Sequence, residues 1–289
     1  MKAGARCASP AVHEGPAGRP EPPALPTTDP DLRLAAACAL AREAGALALR
    51  RFRGRDRLAV ERKGLQDLVS EADREVEALI RARLGALFPE DGILGEESGH
   101  APGGAATWVI DPIDGTWCFL NGIGSWCVSL ACVRGPRIEL GVVFDPCAGE
   151  LFAARAGGGA TLDGVPIRVA EARGLADGTV SVGFSHRSRP EEIAPVFGPL
   201  LAAGGMYHRH GSGALGLAWV ACGRLIGYLE PHMNSWDALA GLLLVEEAGG
   251  RVVDFLAGGG LLAGNRVLAA APAVFPLLER LAGWRRDDP

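Results

Sequence analysis

The stretch Trp108-Val-Ile-Asp111-Pro-Ile-Asp114-Gly-Thr116 combines side chains and backbone types that could do chemistry together. A short apolar run, Trp108 to Ile110, reads as the end of a buried strand that delivers two carboxylates three residues apart. Pro112 fixes one backbone angle and disfavours helix just before it, so the chain is expected to leave the strand there in a rigid turn. Gly115 allows close backbone approach to a ligand, and Thr116 adds a hydroxyl beside the acids. Two acids held this near each other repel unless they share a proton or a cation. With hard oxygen donors and no His beside them, the expected cation is Mg²⁺. The same residues also make an ordinary Asp-Pro and Asp-Gly turn, so this stretch alone leaves both readings open.

Two further acidic positions sit where an element begins or ends. Glu96, followed by Glu97, closes the short apolar run Ile93-Leu-Gly95, and Asp237 follows Trp236 in the first turn of a long apolar helix, where a carboxylate also gains from the helix dipole. Taken singly, Asp237 is capping chemistry and Glu96-Glu97 an exposed acidic turn. Together with Asp111 and Asp114 they bring acids from three separated segments, which is how a divalent-metal site is assembled from side chains distant in sequence. Such a site beside Gly-Thr amides at a helix start suits a phosphate ester. Two metals about 3.5–4 Å apart would activate water and stabilise the leaving oxygen together. No Ser-His or Cys-His arrangement stands out as a nucleophile.

These side chains must be carried by an α/β scaffold. Residues 1–28, rich in Pro, Gly and Ala, read as a disordered leader or a misplaced start, and the leader is drawn to residue 30. Helix is expected from Asp31 to Phe52, then a loop or short strand carrying Lys63, then a helix over 71–88 capped by Ser70 and ended by Pro89. In that frame Asp73 is the third residue of a capping box, which competes with any catalytic role. A Gly/Ala-rich loop should separate Glu97 from the opening stretch. Strand signals follow at Val128–Val133, Glu139–Phe144, Glu150–Ala154 and Ile167–Val169, with turns at Gly157-Gly-Gly159 and Asp163-Gly164, an antiparallel meander. The second half alternates: strand Thr179–Phe184, helix Pro190–Ala203, a helix opened by Gly211-Ser212-Gly213 and running to Cys222, strand Leu225–Glu230, a helix over 236–248 capped by Ser235, strands near 251–254 and 266–270, and a last helix from Pro272. The change of pattern divides the chain into a 31–175 α+β lobe and a 176–289 α/β lobe.

Composition narrows the function classes. The 289 residues carry a net charge of −5 and no Lys/Arg block, which argues against nucleic-acid partners. No run approaches the ~18 apolar residues of a membrane span, and the proline-studded start lacks a secretory apolar region. Seven cysteines, odd in number and without a C-x-x-C pair, point to reduced thiols in a cytoplasm.

At this point five segments match a known family. Lys63 with Asp67-Leu-Val-Ser-Glu-Ala-Asp73, Gly95-Glu96-Glu97-Ser98, Asp111-Pro-Ile-Asp-Gly-Thr116, Gly141-Val-Val-Phe-Asp-Pro146, and Trp236-Asp237 through Glu247-Ala-Gly-Gly250 occur in the order of the inositol monophosphatase family, which the chain resembles from about residue 31 to 283. The resemblance implies the family's layered α-β-α-β-α sandwich and a Mg²⁺-dependent, lithium-sensitive phosphomonoesterase acting on myo-inositol phosphate or a similar small polyol or sugar phosphate. It implies that Glu96, Asp111 and the Ile113 carbonyl hold a first metal. Asp111, Asp114 and Asp237 would hold a second, with a third, weaker ion near Glu96 in some members. Most metal ligands would then lie in the first lobe, while the second supplies Asp237 and substrate contacts. Thr116 and Asp73 are similar to the pair that orients and deprotonates the attacking water, with Glu97 behind them. The amides of Gly115 and Thr116 would hold the phosphate, with Asp114, Asp237 and Ile113 beside it and Lys63 nearby. Gly211, Ser212, Gly213 and Glu230 match positions contacting the alcohol. Members are commonly dimers.

The sequence departs from the family at Trp117-Cys118-Phe119, where Cys118 replaces the usual Asn. The Lys-Glu-Phe continuation of relatives acting on phosphoadenosine nucleotides is also absent. A histidinol-phosphate phosphatase, a 3′-nucleotide phosphatase, and a regulatory binding protein on this fold, as some bacterial relatives resemble RNA-polymerase-associated factors, stand as alternatives.

Overall fold

The computed structural model describes residues 29–55, 60–64, 67–104, 106–185 and 187–284; the expected leader and the side chains of 60–64 and 67–69 lie outside the described residues. Helix α1 (Pro30–Arg53) is capped by Asp29, whose Oδ1 accepts from the Asp31 amide at 2.9 Å. Proline at its first position fits because no intrahelical donor is needed there. A hairpin of β1 (Val60–Gly64) and β2 (Asp67–Ser70) leads into α2 (Glu71–Leu87). The expected capping box forms: the Ser70 hydroxyl accepts from the Ala72 amide, and Asp73 Oδ2 accepts from the Ser70 amide at 2.8 Å.

The next elements build the larger sheet: β3 (Gly92–Gly95), β4 (Gly99–Ala101), β5 (Ala106–Asp114), the one-turn α3 (Thr116–Leu120), β6 (Cys127–Arg134), β7 (Arg137–Asp145), β8 (Glu150–Arg155), β9 (Gly159–Leu162) and β10 (Val165–Pro166). Their order is β10-β9-β8-β7-β6-β5-β3-β4, antiparallel throughout except for the β3–β5 pair. The second half gives β11 (Thr179–Val182), α4 (Pro190–Ala202), β12 (Met206–His208), α5 (Gly213–Ala221), β13 (Gly227–Met233), α6 (Ser235–Glu247), β14 (Arg251–Val252), α7 (Gly260–Ala263), β15 (Asn265–Ala270) and α8 (Phe275–Ala282). Its sheet is mixed, in the order β12-β11-β13-β15-β14.

Packing resolves five layers: α1 and α2, the larger sheet, α5 and α6, the smaller sheet, then α4 and α8. Strand periodicity explains how one sheet serves two cores. Trp108 and Ile110 of β5 enter the core beneath α1 and α2, whereas Val109 between them enters the core around α5 and α6. Complete burial of residues such as Ile110, Leu130 and Phe152 stabilises by about 1.5–3 kcal/mol each. Gly141 of β7 lies where a Cβ would come within 2.7 Å of the Ala240 carbonyl, so its lack of a side chain lets α6 sit directly on the sheet.

Several sequence expectations are corrected. The Asp-Pro-Ile-Asp segment does not leave the sheet. It stays in β5, and the register against β6 slips between Asp111 and Asp114, so Pro112 sits in a bulge that needs no ladder amide. The expected Gly/Ala-rich loop contains β4, a short edge strand pairing β3. Strand β10 ends before Ile167–Val169, because the Val169 amide turns away to the Ala248 carbonyl at the end of α6. Strands β9 and β12 were not foreseen; each is too short for periodicity to register. Asn234, not Ser235, is the residue preceding α6, and Ser235 is its first helical residue. Among the described residues no helix is long and apolar enough to cross a membrane, and the six described cysteines are free thiols.

Candidate metal centre

The bulge in β5 turns both acids of the opening motif toward one cavity. Asp111 Oδ1 accepts from the Ile113 amide at 2.9 Å, which fixes the carboxylate across the bulge. Asp114 is held from the other side by the start of α5. Its Oδ2 accepts from the Ser212 hydroxyl at 2.6 Å and the Ala214 amide at 2.7 Å, while Oδ1 faces the Gly213 amide at 3.3 Å. The Cys127 thiol stands 3.8 Å from the same Oδ2. Asp237 arrives from the first turn of α6, its Oδ2 3.3 Å from the Asn234 amide.

The three acids converge: one carboxylate oxygen from each of Asp111, Asp114 and Asp237 lies within 4.8 Å of the others. Burial, first, and then the charges of Glu96, Asp114 and Asp237 hold Asp111 well above the ordinary carboxylate range. Asp114 is pushed up to about 7, by burial and then by Asp237, against the pull of Ser212 and the α5 amides. Asp237 is also raised by burial, with Arg187 opposing. Three hard-oxygen donors that cannot all ionise comfortably without a counter-charge fit a divalent cation of the Mg²⁺ type. Glu96 lines the same cavity.

Gly115 has φ +102, and a Cβ there would lie 2.8 Å from the Ser125 carbonyl, so only glycine makes this exit from β5 comfortably. It aims the Thr116 hydroxyl at two acceptors, the Ile113 carbonyl at 3.1 Å and Asp73 Oδ1 at 3.3 Å. Asp73 is fully buried behind Thr116, also accepts from the Ser70 hydroxyl at 2.6 Å, and is raised by burial. Its capping role and its contact with Thr116 therefore coexist on different oxygens.

Gly211, Ser212, Gly213 and Glu230 also line the cavity, which has a volume of about 450 Å³. Ser212 is already committed to Asp114, and Glu230 Oε2 accepts from the Tyr228 hydroxyl at 2.5 Å. Burial pushes Glu230 up to about 7. Glu97 and Asp73 are not on the cavity wall. The side chain of Lys63 lies outside the described residues.

Sequence reasoning missed Glu77. Its carboxylate, fully buried on α2, accepts from the Glu97 amide at 2.8 Å and the Ser98 amide at 2.9 Å, and pairs with Arg81 at 2.7 Å. Arg81 in turn donates to the Gly99 carbonyl at 2.5 Å. The signal was present as a Glu four residues before an Arg, set beside the apolar stripe Val76–Ile80. Arg187 and Arg209, at the rim of the cavity, were also missed.

A model of the inositol monophosphatase family matches residues 29–283. The chain belongs to that family. A relative called Nus factor SuhB, from Xylella fastidiosa, is 42% identical over 217 residues, covering 74% of this chain and 79% of its own length. The inositol-1-monophosphatase of Rhizobium meliloti is 38% identical over 243 residues, 79% of this chain and 90% of that one. Among solved structures, the extragenic suppressor protein suhB of Bartonella henselae superimposes with a TM-score of 0.83 at 33% identity, covering 88% of this chain and 99% of that one. The layered fold is thus that of the family.

Proposed function

We propose that this chain is a Mg²⁺-dependent phosphomonoesterase acting on myo-inositol phosphate or a similar small polyol or sugar phosphate. The convergence of Asp111, Asp114 and Asp237 in a cavity shared with Thr116 carries this reading. Asp111, Asp114, Asp237, Glu96 and the Ile113 carbonyl would hold two ions, a third lying near Glu96. A bound divalent cation offsets phosphate charge and makes water more acidic.

The chain's own groups do the rest. Amides of Gly115 and Thr116 bind the phosphate oxygens at the start of α3, with Lys63 nearby. The Thr116 hydroxyl, backed by Asp73, orients the attacking water and receives its proton toward Asp73, with Glu97 in support. Glu230 and the Gly211–Gly213 backbone orient the alcohol. Water displaces that alcohol in line at phosphorus, with no phosphoenzyme. We read the two lobes as 31–175 and 176–289, and the assembled protein as a cytoplasmic homodimer.

The deciding experiment is a phosphate-release screen with excess Mg²⁺ over inositol phosphates, sugar phosphates, histidinol phosphate and phosphoadenosine nucleotides. Turnover led by inositol or sugar monoesters supports the reading; turnover led by histidinol phosphate or the nucleotides moves the chain to those alternatives. A second reading, a regulatory protein working through transcription partners, is favoured by the name Nus factor carried by the Xylella fastidiosa relative. Recovery of transcription proteins in a pull-down, with negligible turnover of every phosphate tried, would select it.

A further inference from the structure

Tyr228 and Glu230 lie two residues apart on β13, so their side chains leave the same face of the smaller sheet. Both contribute to the cavity wall, yet Tyr228 is only 2% exposed and packs in the core around α5 and α6. Its phenol donates to Glu230 Oε2 at 2.5 Å. Neighbouring elements leave room for this pair. A Cβ on Gly183 would lie 2.1 Å from Glu230 Oε2 and 2.5 Å from the Tyr228 hydroxyl, and a Cβ on Gly216 of α5 would lie 2.8 Å from the Tyr228 ring. The slot therefore fits the ring and the carboxylate together.

The hydrogen bond leaves the two carboxylate oxygens in different situations. Oε2 is occupied, while Oε1 accepts from no group among the described residues. Burial, and then the charges of Glu230, Asp114 and Asp237, hold the phenol well above its ordinary range, so it stays a donor. An untethered carboxylate would be free to turn toward Arg209, whose charge acts on it. A packed phenol bound to one oxygen opposes that rotation and leaves the other oxygen for a ligand.

We infer that Tyr228 is a positioning residue, whose hydroxyl fixes Glu230 so that Oε1 accepts a hydrogen bond from a hydroxyl of the substrate's alcohol. The inference rests on the phosphomonoesterase reading and adds to it what sets the aim of Glu230. Tyr228 acts only through Glu230.

The test uses Tyr228→Phe, which removes the hydroxyl and keeps the ring, together with Glu230→Ala and the double variant. Each is assayed on myo-inositol 1-phosphate and on phenyl phosphate, whose alcohol has no further hydroxyl to offer Glu230. Tyr228→Phe should raise KM for inositol phosphate by about tenfold, with kcat and melting temperature little changed and KM for phenyl phosphate unmoved. In the Glu230→Ala background the same substitution should add at most about twofold, since the group it positions is gone. An unchanged KM for inositol phosphate in Tyr228→Phe, equal losses on both esters, or effects that multiply in the double variant overturn the positioning role while leaving the phosphatase reading in place. Absence of wild-type turnover on both esters removes both.

Discussion

The Ser212 hydroxyl donates to Asp114 Oδ2 over 2.6 Å, tying the start of α5 to the end of β5. This hydrogen bond commits the Ser212 hydroxyl to a carboxylate of the candidate metal centre, where the family resemblance implies a contact with the alcohol. A charge-assisted bond of this kind is worth about 1.5–3 kcal/mol. Ser212→Ala should therefore raise the Mg²⁺ concentration for half-maximal activity by about tenfold or more while KM for inositol phosphate changes little. Titrating activity against Mg²⁺ at saturating substrate, and substrate at saturating Mg²⁺, separates the two. A shift confined to KM would return Ser212 to substrate binding.

Glu77 supports the centre from outside the cavity. By accepting from the Glu97 and Ser98 amides it fixes the turn that presents Glu96, and Arg81 completes the arrangement. Glu77→Ala leaves the Arg81 charge and two amides without their acceptor, at a cost on the order of 3 kcal/mol. The melting temperature should fall, and Mg²⁺ affinity measured calorimetrically should fall with it. Glu77→Gln, which keeps one acceptor oxygen, should recover part of both.

The buried acids make stability depend on pH. Burial lifts Asp114 and Glu230 to about 7 in the folded chain, whereas in the unfolded chain such groups ionise near 4. Between those values the folded form binds more protons, so the cation-free protein should lose stability as pH rises from about 4 to 7. The contribution is on the order of a few kcal/mol per group. Melting temperatures without divalent ions should decline across pH 5–7, and the decline should be shallower in Glu230→Gln. Adding Mg²⁺ at pH 8 should restore much of the loss by offsetting the Asp114 charge. A melting temperature that climbs through this window would contradict the assignment.

Asp111 lies between the Glu96, Asp114 and Asp237 charges, all of which push it toward its neutral form. Asp111→Asn removes a carboxylate of the proposed metal centre and also one source of repulsion. Turnover should drop by about a thousandfold or more, yet the cation-free melting temperature should hold or rise. Retention of most of the activity would sink the proposed function, and a large fall in melting temperature would show that Asp111 is chiefly structural.

Much of this was legible in the sequence because it depends on local rules. The Ser70–Asp73 capping box, the apolar run Trp108–Ile110, and the glycine after Asp114 each follow from neighbours in the chain. Among the acids of the candidate centre, Asp114 does end β5 and Asp237 does lie in the first turn of α6, as expected, whereas Asp111 lies inside β5. What sequence did not reveal depends on contacts between distant segments. Nothing near Ser212 in the chain indicates that its hydroxyl meets Asp114, and nothing near Glu77 shows that the Glu97 amide lands on it. The proline inside Asp111–Asp114 suggested a turn, yet a bulge accommodates the same missing amide without leaving the sheet. Nothing in the sequence marked Arg187 and Arg209, since the oxygens they reach belong to Asn234 and Phe184.

Helix α6 packs against the larger sheet on one side and against β15 of the smaller sheet on the other, and it carries Asp237. During synthesis Asp111 and Asp114 leave the ribosome long before Asp237. A chain that has formed only its first sheet displays two acids but not the third. The full set exists only once α6 has docked between both sheets, so an ion held by all three, as proposed, would report that this docking is complete. Partly made or truncated chains would be denied that stabilisation, and the free ion concentration would set how firmly the finished chain is drawn to its native form.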